Sequence, residues 1–293
     1  MSADSPESGP RPLILPFRRP FHRGAMLAAM ATHDVPGVEK TDLETCTHWR
    51  ATRTPDGPSV VRVTLREDHV SVSTEPSVED AAWLAASVRR WLDLDADPAA
   101  IERALGGDPL VGPLIRAGPG LRVLGYLDPF EGAIMTVMGQ QVSLAATRTF
   151  GGRLVAAFGT PVSEGYSVYP TARELASSTP EDVQRAVGLT TARAATVVRL
   201  AEAFAAGLTL GPNVDRAAVR SALAALPGIG PWTVDYLSVR ALGDRDAFVP
   251  GDLLLRRALG VESVKEAAAM SEAWRPYRAY ALFHLWTNAA YAR

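Results

Sequence analysis

The residues of this chain best suited to chemistry are the octapeptide Leu226-Pro227-Gly228-Ile229-Gly230-Pro231-Trp232-Thr233 and a carboxylate twenty residues beyond Trp232, Asp252. In the octapeptide, Pro227 stops an incoming helix, and the two glycines permit backbone angles that other residues resist. They also clear side chains from a concave face, so a phosphate can approach backbone amides directly. The helix opened by Trp232 and Thr233 adds the positive end of its dipole. A tight helix–turn–helix corner with no nucleic-acid role fits the same residues. Asp252, in Val249-Pro250-Gly251-Asp252-Leu253, begins a further helix. Taken alone it reads as an N-cap. A capping carboxylate also has a fixed orientation, and such a group can stabilise positive charge developing on a sugar. The two roles are compatible.

Trp232 and Tyr236 are four apart and share a helix face, and Trp286 lies near the C-terminal end of the last helix. Core packing accounts for such rings. The functional alternative is a pocket that stacks on an electron-poor or cationic ring. Gln140-Gln141 lies in an interruption of a helical stripe, Gly139-Gln140-Gln141-Val142-Ser143. It is either an exposed loop or a tip that enters a duplex where a base has left. In that break, Gly139 is expected to end one helix in a left-handed conformation and Ser143 to cap the next.

These groups need positioning elements, and the rest of the chain supplies them. Its 293 residues, 47% apolar and 21% charged, are enough for two or three compact units, each with a core. Residues 1–12, rich in Ser, Pro and Gly, read as a disordered tail and not as a signal peptide. Residues 13–125 read as an α+β domain. Val61, Val63 and Leu65 alternate with polar residues, as do Val70 and Val72 after a turn at Glu67-Asp68, which predicts two strands. Thr45 to Thr54 predicts a third, and Val78 to Leu92 an amphipathic helix. Residues 126–293 read as all-helical, in two lobes with a cleft, the hairpin and its helices spanning about 216–242. Asp128, Ser178-Thr179-Pro180-Glu181, Pro212-Asn213 and Ser271 look like helix starts.

Several classes are excluded. A lone cysteine, Cys46, rules out an internal disulfide, a four-cysteine iron–sulfur cluster and a cysteine-based zinc site. Five scattered histidines show no ligand spacing, so no cofactor is expected. No apolar run reaches the length of a membrane span, and a cytoplasmic location is expected. The net charge of −2 predicts modest non-specific affinity for DNA but does not exclude it, because phosphate binding depends on local charge and oriented amides.

With the hairpin and Asp252 in view, the chain resembles the helix-hairpin-helix DNA glycosylase superfamily, and within it the AlkA-type DNA-3-methyladenine glycosylases. Asp128-Pro129-Phe130-Glu131 leading into Val137 to Ser143 resembles the family's segment carrying the intercalating residue. Val187-Gly188-Leu189 with Arg193-Ala194 resembles its middle helices. Trp274 to Leu282 and His284-Leu285-Trp286 resemble its C-terminal helix. The N-terminal region fits the family's α+β domain less sharply.

The resemblance implies a role for each position. Asp252 matches the catalytic aspartate, and Trp232, Tyr236 and Trp286 match pocket aromatics. Gln141 matches the wedge, and Gly228, Gly230 and Thr233 the phosphate-gripping hairpin. The carbonyls of Ala224, Leu226 and Ile229 match positions that can hold a monovalent cation. Bifunctional relatives carry a strand-cleaving lysine where Trp232 stands, so hydrolysis to an abasic site is expected. Gly251 stands where relatives can carry a second acid, and Leu253 where they can carry a pocket aromatic. Both changes bear on the range of bases accepted. The implied protein is a monomer that releases alkylated purines from damaged double-stranded DNA without a cofactor. Alternatives are a monofunctional enzyme for deaminated bases such as hypoxanthine and a non-catalytic DNA-damage binding module.

Overall fold

The computed structural model describes residues 11–291. Of the segment expected to be a disordered tail, residues 1–10 lie outside the described residues, and Arg11 and Pro12 are exposed.

Five strands form an antiparallel sheet: β1 (Leu13–Pro16), β2 (Glu39–Asp42), β3 (Thr47–Thr54), β4 (Gly57–Leu65) and β5 (His69–Glu75), in the order β1-β5-β4-β3-β2. The period-two alternation does the work in β4 and β5. Val61, Val63 and Leu65 of β4 and Val70 and Val72 of β5 are all buried, with Val63 paired to Val72 and Leu65 to Val70, while Arg62 between Val61 and Val63 is exposed. Helices α1 (Arg23–His33) and α2 (Ala81–Trp91) cover this face through Met26, Leu27, Met30, Leu84, Val88 and Trp91. Strands β1 and β2 were not expected. The first has four residues, and the second, Glu39-Lys40-Thr41-Asp42, has no apolar residue to alternate.

The remaining helices are α3 (Pro98–Leu105), α4 (Gly112–Ala117), α5 (Pro129–Met138), α6 (Leu144–Phe158), α7 (Ala172–Ala176), α8 (Pro180–Val187), α9 (Thr191–Ala205), α10 (Arg216–Ala224), α11 (Pro231–Arg240), α12 (Leu253–Leu259), α13 (Val264–Ser271) and α14 (Arg278–Tyr291). They pack into two cores. One is built from α5 to α10, the other from α3, α4 and α12 to α14. Helix α11 belongs to both: Val234 and Leu237 enter the first core, Val239 the second. The cleft between the lobes therefore runs past α11. Among the described residues no helix is long and apolar enough to cross a membrane.

The region expected to be wholly helical also contains a hairpin, β6 (Thr160–Ser163) and β7 (Tyr166–Val168), turning at Gly165 with φ +78°. Pro161 and the three-residue second strand hide it from any periodicity. It docks on the N-terminal sheet. Val168 packs with Ala51 and Val60, Ser167 N–H donates to Gly37 O at 2.8 Å, and Arg53 donates to Tyr169 O and Thr160 Oγ1.

Asp128 and Thr179 cap α5 and α8 as expected. Two other starts are corrected. Helix α10 begins after Asp215, whose carboxylate accepts from Ala217 N and Ala218 N, and not at Pro212-Asn213. Ser271 ends α13, and a short 3₁₀ turn (Glu272–Trp274) and Pro276, which cannot donate, delay the last helix to Arg278.

Candidate active site

The hairpin between α10 and α11 takes its shape from Gly228. This residue has φ +93°, and a Cβ there would lie 2.0 Å from Thr196 Oγ1, so both conformation and space demand glycine. Gly230 is different: its φ is −92° and nothing lies within 4 Å of where a Cβ would be, so its missing side chain opens the surface. The amides of Gly228 and Gly230 have no hydrogen-bond partner among the described residues. With the N-terminus of α11 beside them, they form an anion-ready corner.

The helix break departs in one respect from the sequence reading. Gly139 is right-handed, with φ −81°, and the left-handed residue is Gln141, with φ +56°. Ser143 caps α6 through its contact with Ala146 N. Gln141 is exposed at the tip. Its neighbour Gln140 ties the break to the hairpin: Nε2 donates to Gly228 O at 3.1 Å and to Thr233 Oγ1 at 2.9 Å, while Arg193 donates to Gln140 O at 2.5 Å. Tip and hairpin are thus braced against each other, a role that sequence reasoning did not assign to Gln140.

Asp252 is the N-cap of α12, its Oδ1 accepting from Leu255 N at 2.9 Å. Two indoles complete its surroundings. Trp232 Nε1 donates to Oδ2 and Trp286 Nε1 to Oδ1, each at 3.1 Å. Trp232 stacks on Tyr236 with ring centroids 5.0 Å apart and 21° between planes, and Tyr236 meets Trp286 at 5.7 Å. The three rings and the carboxylate therefore form one constellation. Gln141, Gly228, Gly230, Trp232, Thr233 and Asp252 all border a single groove of about 660 Å³.

Behind the groove, two cavities of about 240 and 230 Å³ extend between the helical lobes and the N-terminal domain. Arg240, at the end of α11, lies at their junction. It is reached by continuing the Trp232–Tyr236 stripe by four more residues, a spacing that would have revealed it. Its guanidinium donates to Tyr236 OH at 2.9 Å and to Leu124 O at 2.8 Å, and lies over the Tyr126 ring at 4.6 Å. The first cavity ends on a buried charge network. Arg50 bridges Glu39 and Glu131. Burial pushes the Glu131 carboxyl up to about 8 despite Arg50. Burial also pushes Glu39 upward, but Arg50 and His48 outweigh it and bring that carboxyl down to about 2.

Asp34, Glu39 and His48 come close enough to suggest a metal. One ligand atom of each lies within 4.8 Å of the others, but the carboxylates already have protein partners, Asp34 accepting from Thr41 and Glu39 from Arg50. The carbonyls of Ala224, Leu226 and Ile229 lie at the end of α10 and in the turn after it, where helical partners run out, and Leu226 O accepts from Ile229 N at 3.0 Å.

Residues 12–128 match the AlkA N-terminal domain, and residues 134–272 match the HhH-GPD superfamily of base excision DNA repair proteins. The chain is 38% identical, over 94% of its length, to a probable bifunctional transcriptional activator/DNA repair enzyme AlkA of Mycobacterium tuberculosis, but spans only 56% of that protein. It is 32% identical to DNA-3-methyladenine glycosylase 2 of Escherichia coli, covering 78% of each chain. Its fold matches a 3-methyladenine DNA-glycosylase from Archaeoglobus fulgidus with a TM-score of 0.81 at 20% identity, over 96% of this chain and 99% of that one. The chain belongs to the HhH-GPD superfamily of base excision repair proteins, in its AlkA-type DNA-3-methyladenine glycosylase branch.

Proposed function

We propose that this chain is a monofunctional DNA glycosylase that extrudes alkylated purines of the 3-methyladenine and 7-methylguanine class and hydrolyses their N-glycosidic bond. The observation that carries the reading is the Asp252 carboxylate, held by Leu255 N–H and two indoles on the border of the groove that the hairpin and Gln141 share. The lesion class comes from the family and from relatives named for 3-methyladenine.

The hairpin amides grip a phosphate of damaged double-stranded DNA, and Gln141 enters the duplex as the nucleotide turns out. Extrusion costs a few kcal/mol, least for a weakly paired lesion. Trp232, Tyr236 and Trp286 stack on the base, whose positive charge their faces favour. As the C1′–N9 bond breaks, its electron pair neutralises the departing purine. Asp252 stabilises the sugar cation and helps a water attack C1′, the proton passing to the carboxylate or to solvent. A pre-charged leaving group needs little acid catalysis. Trp232 has no amine to form a Schiff base, so the product is an abasic site.

No cofactor is needed in this scheme. A monovalent cation on the carbonyls of Ala224, Leu226 and Ile229 would brace the turn after α10. The protein acts as a monomer in the cytoplasm, on the nucleoid.

The test is release of bases from methylated duplex DNA by wild type and by Asp252→Asn, read by chromatography. The expected result is release of 3-methyladenine by wild type and its loss in the variant with DNA binding retained. No release by folded wild type would overturn the reading, leaving hypoxanthine-containing DNA or a binding role to be examined.

A further inference from the structure

The wall of the base pocket opposite Asp252 comes from the N-terminal domain, from the last turn of α1. His33 lines both cavities behind the groove and shares one of them with Asp252, Tyr236 and Trp286. Its Nδ1 lies 2.7 Å from Ala29 O. A carbonyl only accepts, so Nδ1 carries the proton, and in the neutral ring Nε2 holds a lone pair. Nε2 has no hydrogen-bond partner among the described residues, and it keeps accessible surface. The acceptor edge of the imidazole therefore faces open cavity.

Burial and the nearby Arg240 guanidinium bring His33 down to about 4, which keeps the ring neutral at physiological pH and Nε2 an acceptor. The surroundings make this acceptor stand out. In the cavity shared with Asp252, Arg240 offers only N–H donors and Met26, Ala29 and Leu144 no polar side-chain atom, while the Glu39 and Glu131 carboxyls line the other cavity, where Arg50 engages both. A purine whose sugar lies at Asp252 and whose face lies on the aromatic rings points its far edge away from the sugar, toward α1. In adenine derivatives that edge carries an exocyclic amine. In guanine derivatives the same position carries a carbonyl oxygen.

Resting on the glycosylase reading above, we propose that His33 is a specificity-determining residue whose Nε2 accepts a hydrogen bond from the exocyclic amine of an extruded adenine-type lesion. A carbonyl at that position would face a lone pair and gain nothing. The site would thus favour alkylated adenines over alkylated guanines beyond what leaving-group charge provides.

Methylated duplex DNA contains both lesions, so one digestion gives both rates. Initial release of 3-methyladenine and 7-methylguanine would be compared for wild type, His33→Phe and His33→Gln. Phe fills the space without an acceptor, whereas Gln can present one. The ratio of 3-methyladenine to 7-methylguanine release should fall about fivefold in His33→Phe, the effect of one neutral hydrogen bond, and recover in part in His33→Gln. An unchanged ratio, whether both rates hold or fall together, would overturn the proposal, because a merely structural role moves both lesions alike. Wild type that releases neither base would instead overturn the glycosylase reading itself.

Discussion

The indole N–H of Trp286 donates to Asp252 Oδ1 across 3.1 Å, so the last helix fixes the carboxylate at the start of α12. Replacing Trp286 with Phe keeps a ring in place but removes the donor. A hydrogen bond to a charged group is worth about 1.5–3 kcal/mol, so single-turnover excision should slow by about tenfold or more. DNA affinity should change little. An unaltered excision rate would mean that the indole does not orient Asp252.

The two hairpin glycines should fail differently. In Gly228→Ala the new methyl group meets Thr196 at a positive φ, so the fold should lose roughly 2–3 kcal/mol in denaturant melts. Gly230→Ala meets no atom and should leave stability within about 1 kcal/mol of wild type. It should nevertheless weaken DNA binding in fluorescence anisotropy, because the methyl group stands where a phosphate approaches. Equal stability losses would contradict this division of labour.

Gln141 sits in the left-handed region at an exposed tip, a conformation that costs a non-glycine residue about 1 kcal/mol. Gln141→Gly should therefore raise stability by roughly that amount. Excision from duplex DNA should drop, while excision from single strands, which leave no gap to fill, should hold. A variant that is more stable and equally active on duplex DNA would remove Gln141 from the wedge role.

Glu131 gives a pH signature. Its carboxyl is raised to about 8 by burial, so the folded state binds its proton more tightly than the unfolded chain does. The stability tied to that proton is present below about 4.5, the unfolded value, and is lost as pH rises through about 8. Glu131→Gln does not titrate, yet can still accept from Arg50. Its stability relative to wild type should grow from pH 5 to pH 8.5, by an amount on the order of 3 kcal/mol. A constant difference in melting free energy across that range would show that Glu131 is ionised throughout.

How much of this was legible in the sequence depends on the kind of signal. Strands β4 and β5 announced themselves because Val61, Val63, Leu65, Val70 and Val72 alternate with polar residues and all point into one core. Helix α12 and its cap Asp252 followed from local chemistry alone. The hairpin β6–β7 escaped because its stability comes from Ala51 and Val60, more than a hundred residues earlier. For the site, the aromatics four apart and the glycine turn were visible as types and spacings. The joint grip of Trp232 and Trp286 on Asp252 was not, since it depends on how α11, α12 and α14 converge. Glycine adopts the left-handed angle most readily, so the sequence points to Gly139, whereas the chain places that angle on Gln141. His33 and the Arg50 network lie on the far side of a domain contact, and no local pattern reports such a contact.

The docking of β6–β7 on the N-terminal sheet sets the mechanical character of the molecule. A strand pair from the helical half is bolted to the sheet by Ser167, Arg53 and a small apolar cluster, and Arg50 adds a buried hydrogen bond to Glu131 between the same halves. Both fasteners act across the seam between the N-terminal and helical halves, the same seam that carries the cavity lined by His33, Arg50 and Arg240. A base lodged there would meet walls supplied by two stretches of chain more than a hundred residues apart, His33 and Arg50 on one side and Tyr236 and Arg240 on the other.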